Sequence, residues 1–150
     1  MVKASTVKLI LSLVVLNHWS LRQVDINNAC LHGYLTEKVY MQQPQGFVDQ
    51  SKPTHICKLK KALYGLKQAP RAWFDRLKTM LTNQWGFKNS KFDNSLIFRR
   101  IQGHLLLVLV YVDDIIVTGS DSTQIQHVIT NLHTTFALKD LGELHYFLGI

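Results

Sequence analysis

The chain has 150 residues, of which 47% are apolar, which suits one domain with a buried core. Lys and Arg outnumber Asp and Glu by 17 to 10, and the resulting formal charge of +7 favours polyanionic partners through phosphate contacts and counterion release. Its 2 cysteines, Cys30 and Cys57, form no CxxC pair and exclude a secreted disulfide framework, so both read as reduced thiols of an intracellular protein.

At the N-terminus, Lys3 and Lys8 precede an apolar run from Leu9 to Leu16. Ser12 interrupts the run, no small-residue cleavage site follows, and a membrane span needs ~20 residues. The segment therefore reads as a buried helix from about Thr6 to Asn17, apolar on almost every side, with Ser5 as N-cap. Trp19 to Ile26 alternates as a strand, and Val39–Met41 and His55–Leu59 are short strand candidates around a loop marked by Pro44, Gly46 and Pro53. After Pro70, Trp73, Leu77, Met80 and Leu81 recur at helical spacing, and Gly86 is a plausible stop. Ser95–Arg100 and His104–Tyr111 read as strands joined at Gln102-Gly103, and Ile115–Thr118 as the next strand. Asp121 and Gln124 stand in capping-box spacing before a helix whose inner face is Ile125, Val128, Ile129, Leu132 and Phe136. Leu144–Ile150 reads as extended, and its apolar end suggests a truncated domain. No repeat or linker divides the chain. Strands and helices mixed with short hairpin connections predict an α+β fold with a mainly antiparallel sheet.

The chemistry concentrates in Leu105–Val117, where Asp113 and Asp114 interrupt an otherwise apolar run. Two adjacent carboxylates are costly to desolvate and repel each other. A turn at Val112-Asp113 would present both at a hairpin tip, where they could bind Mg²⁺ together with substrate phosphates. A plain Asp-Asp turn is the competing reading, because Asp is common in turns; the absence of Gly or Asn beside it weakens that reading. Asp25, at the end of an apolar strand, is the best upstream carboxylate to converge with the pair, as two-metal displacement requires. Taken alone, it fits a strand-end cap better than a ligand. Asp49, Asp75 and Asp93 read as loop, helix-surface or turn groups.

Between these regions, Lys58–Trp73 alternates basic with apolar and aromatic residues. Gly65 would let a backbone approach a substrate closely, and the helix starting near Pro70 offers N–H groups to an anion beside Lys67 and Arg71. Lys58, Lys60 and Lys61 individually read as solvated surface charges.

Five segments in this order resemble the reverse transcriptases of copia-type long-terminal-repeat retrotransposons: LRQVDINNACLHG (Leu21–Gly33), VYMQQPQGF (Val39–Phe47), KLKKALYGLKQAPRAW (Lys58–Trp73), YVDDIIVTG (Tyr111–Gly119) and DLGELHYFLGI (Asp140–Ile150). The resemblance implies a palm-like antiparallel sheet with packed helices. It makes residues 1–150 a partial, copia-type reverse transcriptase domain, with the fingers and most of the thumb missing. Asp25, Asp113 and Asp114 correspond to the catalytic, metal-binding aspartates, with two Mg²⁺ as cofactors and Mn²⁺ as a possible substitute. Asn28, Ala29, Cys30, Tyr64, Gly65 and Lys67 fall at nucleotide-binding positions, and Lys67, Arg71 and Tyr111 at nucleic-acid-binding ones. The implied partners are an RNA or DNA template-primer and a dNTP, with no membrane, in the cytoplasm. Cys30 departs from the bulky aromatic usual there, which implies weaker exclusion of a ribose 2′-hydroxyl. Against an active polymerase stands a retroelement remnant that at most binds nucleic acid; the chain's shortness implies weak or no activity alone.

Overall fold

The computed structural model describes residues 2–144. It is α+β, with a six-stranded antiparallel sheet, a separate two-stranded sheet and three α-helices among the described residues. The large sheet has the order β4-β5-β6-β7-β1-β8. Its strands are β1 (Ser20–Ile26), β4 (Lys88–Asn89), β5 (Leu96–Ile101), β6 (His104–Tyr111), β7 (Asp114–Gly119) and β8 (Leu138–Glu143). The small sheet pairs β2 (Tyr34–Gln42) with β3 (Ile56–Lys61).

Side chains alternate between the faces of a strand, so the apolar runs of β6 and β7 supply two cores. On one face Val24, Ile26, Val108, Val110, Ile115 and Val117 pack against α2 (Ala69–Asn83) and α3 (Ser122–Thr135). Trp73, Leu77 and Leu81 of α2 and Leu132 of α3 are fully buried there. On the other face Leu107, Leu109 and Ile116 pack against Val7 and Ile10 of α1 (Ala4–Asn17). Central strands covered on both sides explain why so continuous an apolar run is stable in an antiparallel sheet.

Most expected elements appear within a few residues of their predicted limits, and the predicted inner face of α3 is buried. Asp121 caps α3, accepting from the Thr123 and Gln124 N–H groups at 2.9 and 3.4 Å. Three expectations need correction. The N-cap of α1 is Lys3, not Ser5, and no side chain of its own caps it. Instead, the Asp93 carboxylate, reaching across from a distant loop, accepts from the Lys3 N–H at 3.0 Å and the Thr6 hydroxyl at 2.6 Å. Asp93 is accordingly a buried tether for α1 rather than an ordinary turn residue. Nor is α1 buried all round: Leu9, Val15 and Leu16 are 56%, 72% and 76% exposed, because only one helical face meets the sheet. Sequence reading also missed β4, β8 and the 3₁₀ turn Ala29–His32, all too short or too polar to show a period. The extended reading of Leu144–Ile150 falls almost wholly outside the described residues.

Candidate active site

The register of the large sheet brings the predicted carboxylates together. Tyr111 on β6 pairs with Asp114 on β7, Asp114 pairs with Asp25 on β1, and Asp25 pairs with Lys139 on β8. Directly opposed residues share a face, so these four side chains form one cross-strand row. Asp113 sits beside the row, exposed at the tip of the β6–β7 turn. Its carbonyl accepts from the Ile26 N–H at 2.9 Å, which ties the turn to the end of β1. Gln23, one step back on the face of Asp25, donates from Nε2 to Asp114 Oδ1 at 3.2 Å.

The electrostatics follow from this crowding. Partial burial, then the charges of Asp113 and Asp114, raise the Asp25 carboxyl above its ordinary value of 3.8, while Lys139 pulls it down. The two ion pairs among the described residues are Arg22–Asp140 and Arg71–Asp75, so no pair neutralises these three aspartates. Burial, then the Asp113 charge, also raises the Cys30 thiol.

The turn itself is strained. Val112 takes φ +52, and of the two central residues only this first one has positive φ, where turns of this kind favour glycine. A β-branched residue in that region is a true outlier and costs about 1–3 kcal/mol. The adjacent β5–β6 hairpin uses a different turn, with both central residues at positive φ, and places no β-branched residue there: Gln102 is at +49 and Gly103 at +86. What holds Val112 comes from α2: the indole N–H of Trp73 donates to the Val112 carbonyl at 2.6 Å. Trp73 is wholly buried, edge-on to Phe136 at 4.9 Å and tilted against His32 at 5.8 Å. Neither the spacing of Trp73 nor its hydrophobicity announces this bond, since both read as core.

The other predicted positions divide into two groups. Asn28 is exposed at φ +53, at the end of β1 and just before the 3₁₀ turn, whereas Ala29 and Cys30 are buried. Cys30 packs with Ala62, Ala69 and Leu66 rather than standing open as a wall. Gly33 permits close contact with α2: a Cβ there would lie 2.6 Å from the Trp73 backbone nitrogen and 2.8 Å from the Ala72 carbonyl carbon. Tyr64, Gly65 and Lys67 are exposed in the loop before α2, and Gly65 has φ +88 with open space around it. Pro70, Arg71, Phe74, Lys78, Tyr111 and Val112 line a cleft of about 660 Å³ that runs from α2 to the carboxylate turn. Arg71 and Tyr111 thus share one cleft, with Lys67 on the loop leading into α2.

Asp, being a hard oxygen donor, suits Mg²⁺. The observed fit is that of carboxylates gathered on neighbouring strands without an ion pair of their own. Among the described residues, no three His, Cys, Asp or Glu side chains stand together as a ready-made ion site.

The class of protein that bears this sheet and its central carboxylate hairpin is given by comparison with known sequences. The family profile for "Reverse transcriptase (RNA-dependent DNA polymerase)" matches residues 1–150, and the chain belongs to that family. Within it, the chain falls with copia-type Pol polyproteins. It is 48% identical over 149 residues to the retrovirus-related Pol polyprotein from transposon RE1 of Arabidopsis thaliana, covering 99% of this chain and 10% of that protein. It is 46% identical over 149 residues to the corresponding polyprotein from transposon RE2 of Arabidopsis thaliana, with coverage of 99% and 10%. Against the polyprotein from transposon TNT 1-94 of Nicotiana tabacum it is 37% identical over 150 residues, covering 99% of this chain and 11% of the relative. The chain therefore spans about a tenth of the length of these curated relatives. No solved structure matches it significantly. No helix among the described residues is long and apolar enough to cross a membrane.

Proposed function

We propose that residues 1–150 form a partial, palm-like catalytic domain that carries out nucleotidyl transfer from a dNTP to a primer 3′-hydroxyl on an RNA or DNA template. The observation that carries this reading is the register that sets Asp25 against Asp114 with Asp113 at the adjoining turn. Asp25 and Asp113 would be the principal ligands of two Mg²⁺ (or Mn²⁺), and Asp114 a supporting one. Bound there, the ions would supply neutralisation of phosphate charge and activation of the attacking and leaving oxygens.

The chain's own groups contribute position. Asp113 is exposed and would be open to an incoming ligand, while Asp114 accepts from the Gln23 amide. Asn28 sits with the buried Ala29 and Cys30 at the end of β1, where a nucleotide's sugar and phosphates would be held. Tyr64 offers an exposed ring and Gly65 a bare backbone to the nucleotide. Lys67 and Arg71 offer cations to phosphates, and Tyr111 a ring at the cleft wall. Such contacts hold backbones, and sequence is then read by base pairing between template and nucleotide. By its family resemblance the domain would act in the cytoplasm, where thiols such as Cys30 and Cys57 stay reduced.

A second reading, a remnant that binds nucleic acid without catalysis, draws support from the net charge of +7, which favours a polyanion whether or not the carboxylates hold an ion. Primer extension separates the two. The assay uses the purified chain, a primed RNA template, dNTPs and Mg²⁺, beside Asp113→Asn. The polymerase reading expects weak extension that the substitution lowers at least ~100-fold, the scale of removing one preorganised electrostatic group. No extension by a folded chain that still binds the template would favour the remnant.

A further inference from the structure

We infer that Trp73 is a positioning residue for the carboxylate-bearing turn: its indole N–H fixes Val112 in a left-handed conformation and thereby sets Asp113 and Asp114 against Asp25. The inference rests on the proposed metal-dependent function for its consequence, but the turn itself can be tested separately.

Three observations converge on it. The turn lacks the residue chemistry that would stabilise it locally, since Val112 stands at φ +52 where glycine is favoured. The bond from Trp73 Nε1 to the Val112 carbonyl is short, at 2.6 Å, and crosses from α2 to the sheet. The indole has no freedom to look elsewhere, because it is wholly buried and edge-on to Phe136 with an interplanar angle of 85°. A buried N–H left without a partner is costly, so the indole and the Val112 carbonyl constrain each other. Asp113 is held on its other side by the Ile26 N–H, which donates to its carbonyl. Two anchors, one from α2 and one from β1, therefore bracket the exposed carboxylate. A tight turn held by tertiary contact presents Asp113 and Asp114 at one separation, whereas a relaxed turn would present a range.

The test compares the full chain with Trp73→Phe, Val112→Gly and the double variant. Phe keeps a ring in the core but removes the donor, and Gly adopts positive φ without strain. Mn²⁺ affinity is read by electron paramagnetic resonance. Trp73→Phe is expected to weaken it about fivefold, the equivalent of one net hydrogen bond, and by less than about twofold in the Val112→Gly background. Amide hydrogen exchange gives a readout free of metal. Trp73→Phe should speed exchange at Asp114 and at Ile26, whose N–H donates to the Asp113 carbonyl, while sparing Val108 and Val117 in the ladder. Equal effects of Trp73→Phe in both backgrounds, or unchanged exchange at the turn, would overturn the inference. Wild-type protein that binds no Mn²⁺ would sink the metal-site reading, and exchange would still decide whether Trp73 holds the turn. If Trp73→Phe does not fold, Val112→Gly alone decides: a higher melting temperature supports a strained turn held from outside, and a lower one refutes it.

Discussion

Two hairpins of this molecule are opposites. The β6–β7 hairpin lies mid-sheet, is buried on both faces, and carries its charge, all negative, at its two-residue tip and on the first residue of β7. The β2–β3 hairpin stands in a sheet of its own, with a register shift between Tyr34 and Val39. Its outer face is cationic: Lys38, Lys58 and Lys60 are exposed beside Tyr40, which pairs with Lys58. It meets the body at Tyr34, whose ring carries the Arg76 guanidinium of α2 at 4.7 Å, and at Leu35, which packs with Cys30 and Ala69. The contrast teaches where strain can be kept. A turn with a poor residue survives only where the strands behind it cannot yield. An exposed hairpin must instead tolerate irregular pairing and is free to carry solvated charge.

The largest expected difference lies in the cores. Ile115→Ala empties a fully buried site in β7 and should cost about 2–5 kcal/mol in urea unfolding. Leu59→Ala, at a half-buried position of β3, should cost about 1 kcal/mol or less. Equal costs would break the comparison by showing that the small sheet belongs to the same cooperative core.

A smaller effect concerns pH. The folded pKa of Asp25 is raised by burial and by its two acidic neighbours, so its protonated form is favoured in the folded state. The stability it contributes is fully present below the unfolded value of 3.8 and is lost as pH rises through the raised folded value. Asp25→Asn should therefore raise the melting temperature at pH 7, and the gain should vanish in acid. Asp93 runs the other way. Burial pushes its pKa up, but bonds from Thr6, Lys3 and Ser95 outweigh that and hold it low. Its contribution is present above 3.8 and is lost as pH falls through the depressed folded value. A melting temperature unchanged by Asp25→Asn at pH 7 would mean that Lys139 already compensates the cluster.

The smallest stability effect is expected on the exposed hairpin. Lys58→Gln with Lys60→Gln should shift unfolding by less than about 0.5 kcal/mol, because neither lysine is buried. The informative measurement is the salt dependence of RNA binding. If both lysines meet phosphates, the log–log slope falls by about 1.4 on a single strand; otherwise it stays put and they are ordinary solvated charges.

Much of this was legible in the chain alone. The apolar run broken by Asp113 and Asp114 could hardly be anything but a buried hairpin with an acidic tip, because two carboxylates inside such a run must reach solvent or a cation. The periodicity of Trp73, Leu77, Met80 and Leu81, and the Asp121 cap, likewise fixed two helices by local physics, since neighbours at i+3 and i+4 meet whatever the rest of the chain does. Five ordered motifs were enough to identify the family. Tertiary structure alone decided what depends on partners far apart in the chain. The pairing of Asp25 with Asp114 is a matter of register between β1 and β7, which no local pattern encodes. Asp93 looked like a turn residue until α1 came to rest on its carboxylate, and α1 looked buried all round until the sheet took only one of its faces. The hold of Trp73 on Val112 is of the same kind: a core tryptophan carries one hydrogen-bond donor, and only the packing of α2 against the sheet determines which carbonyl receives it.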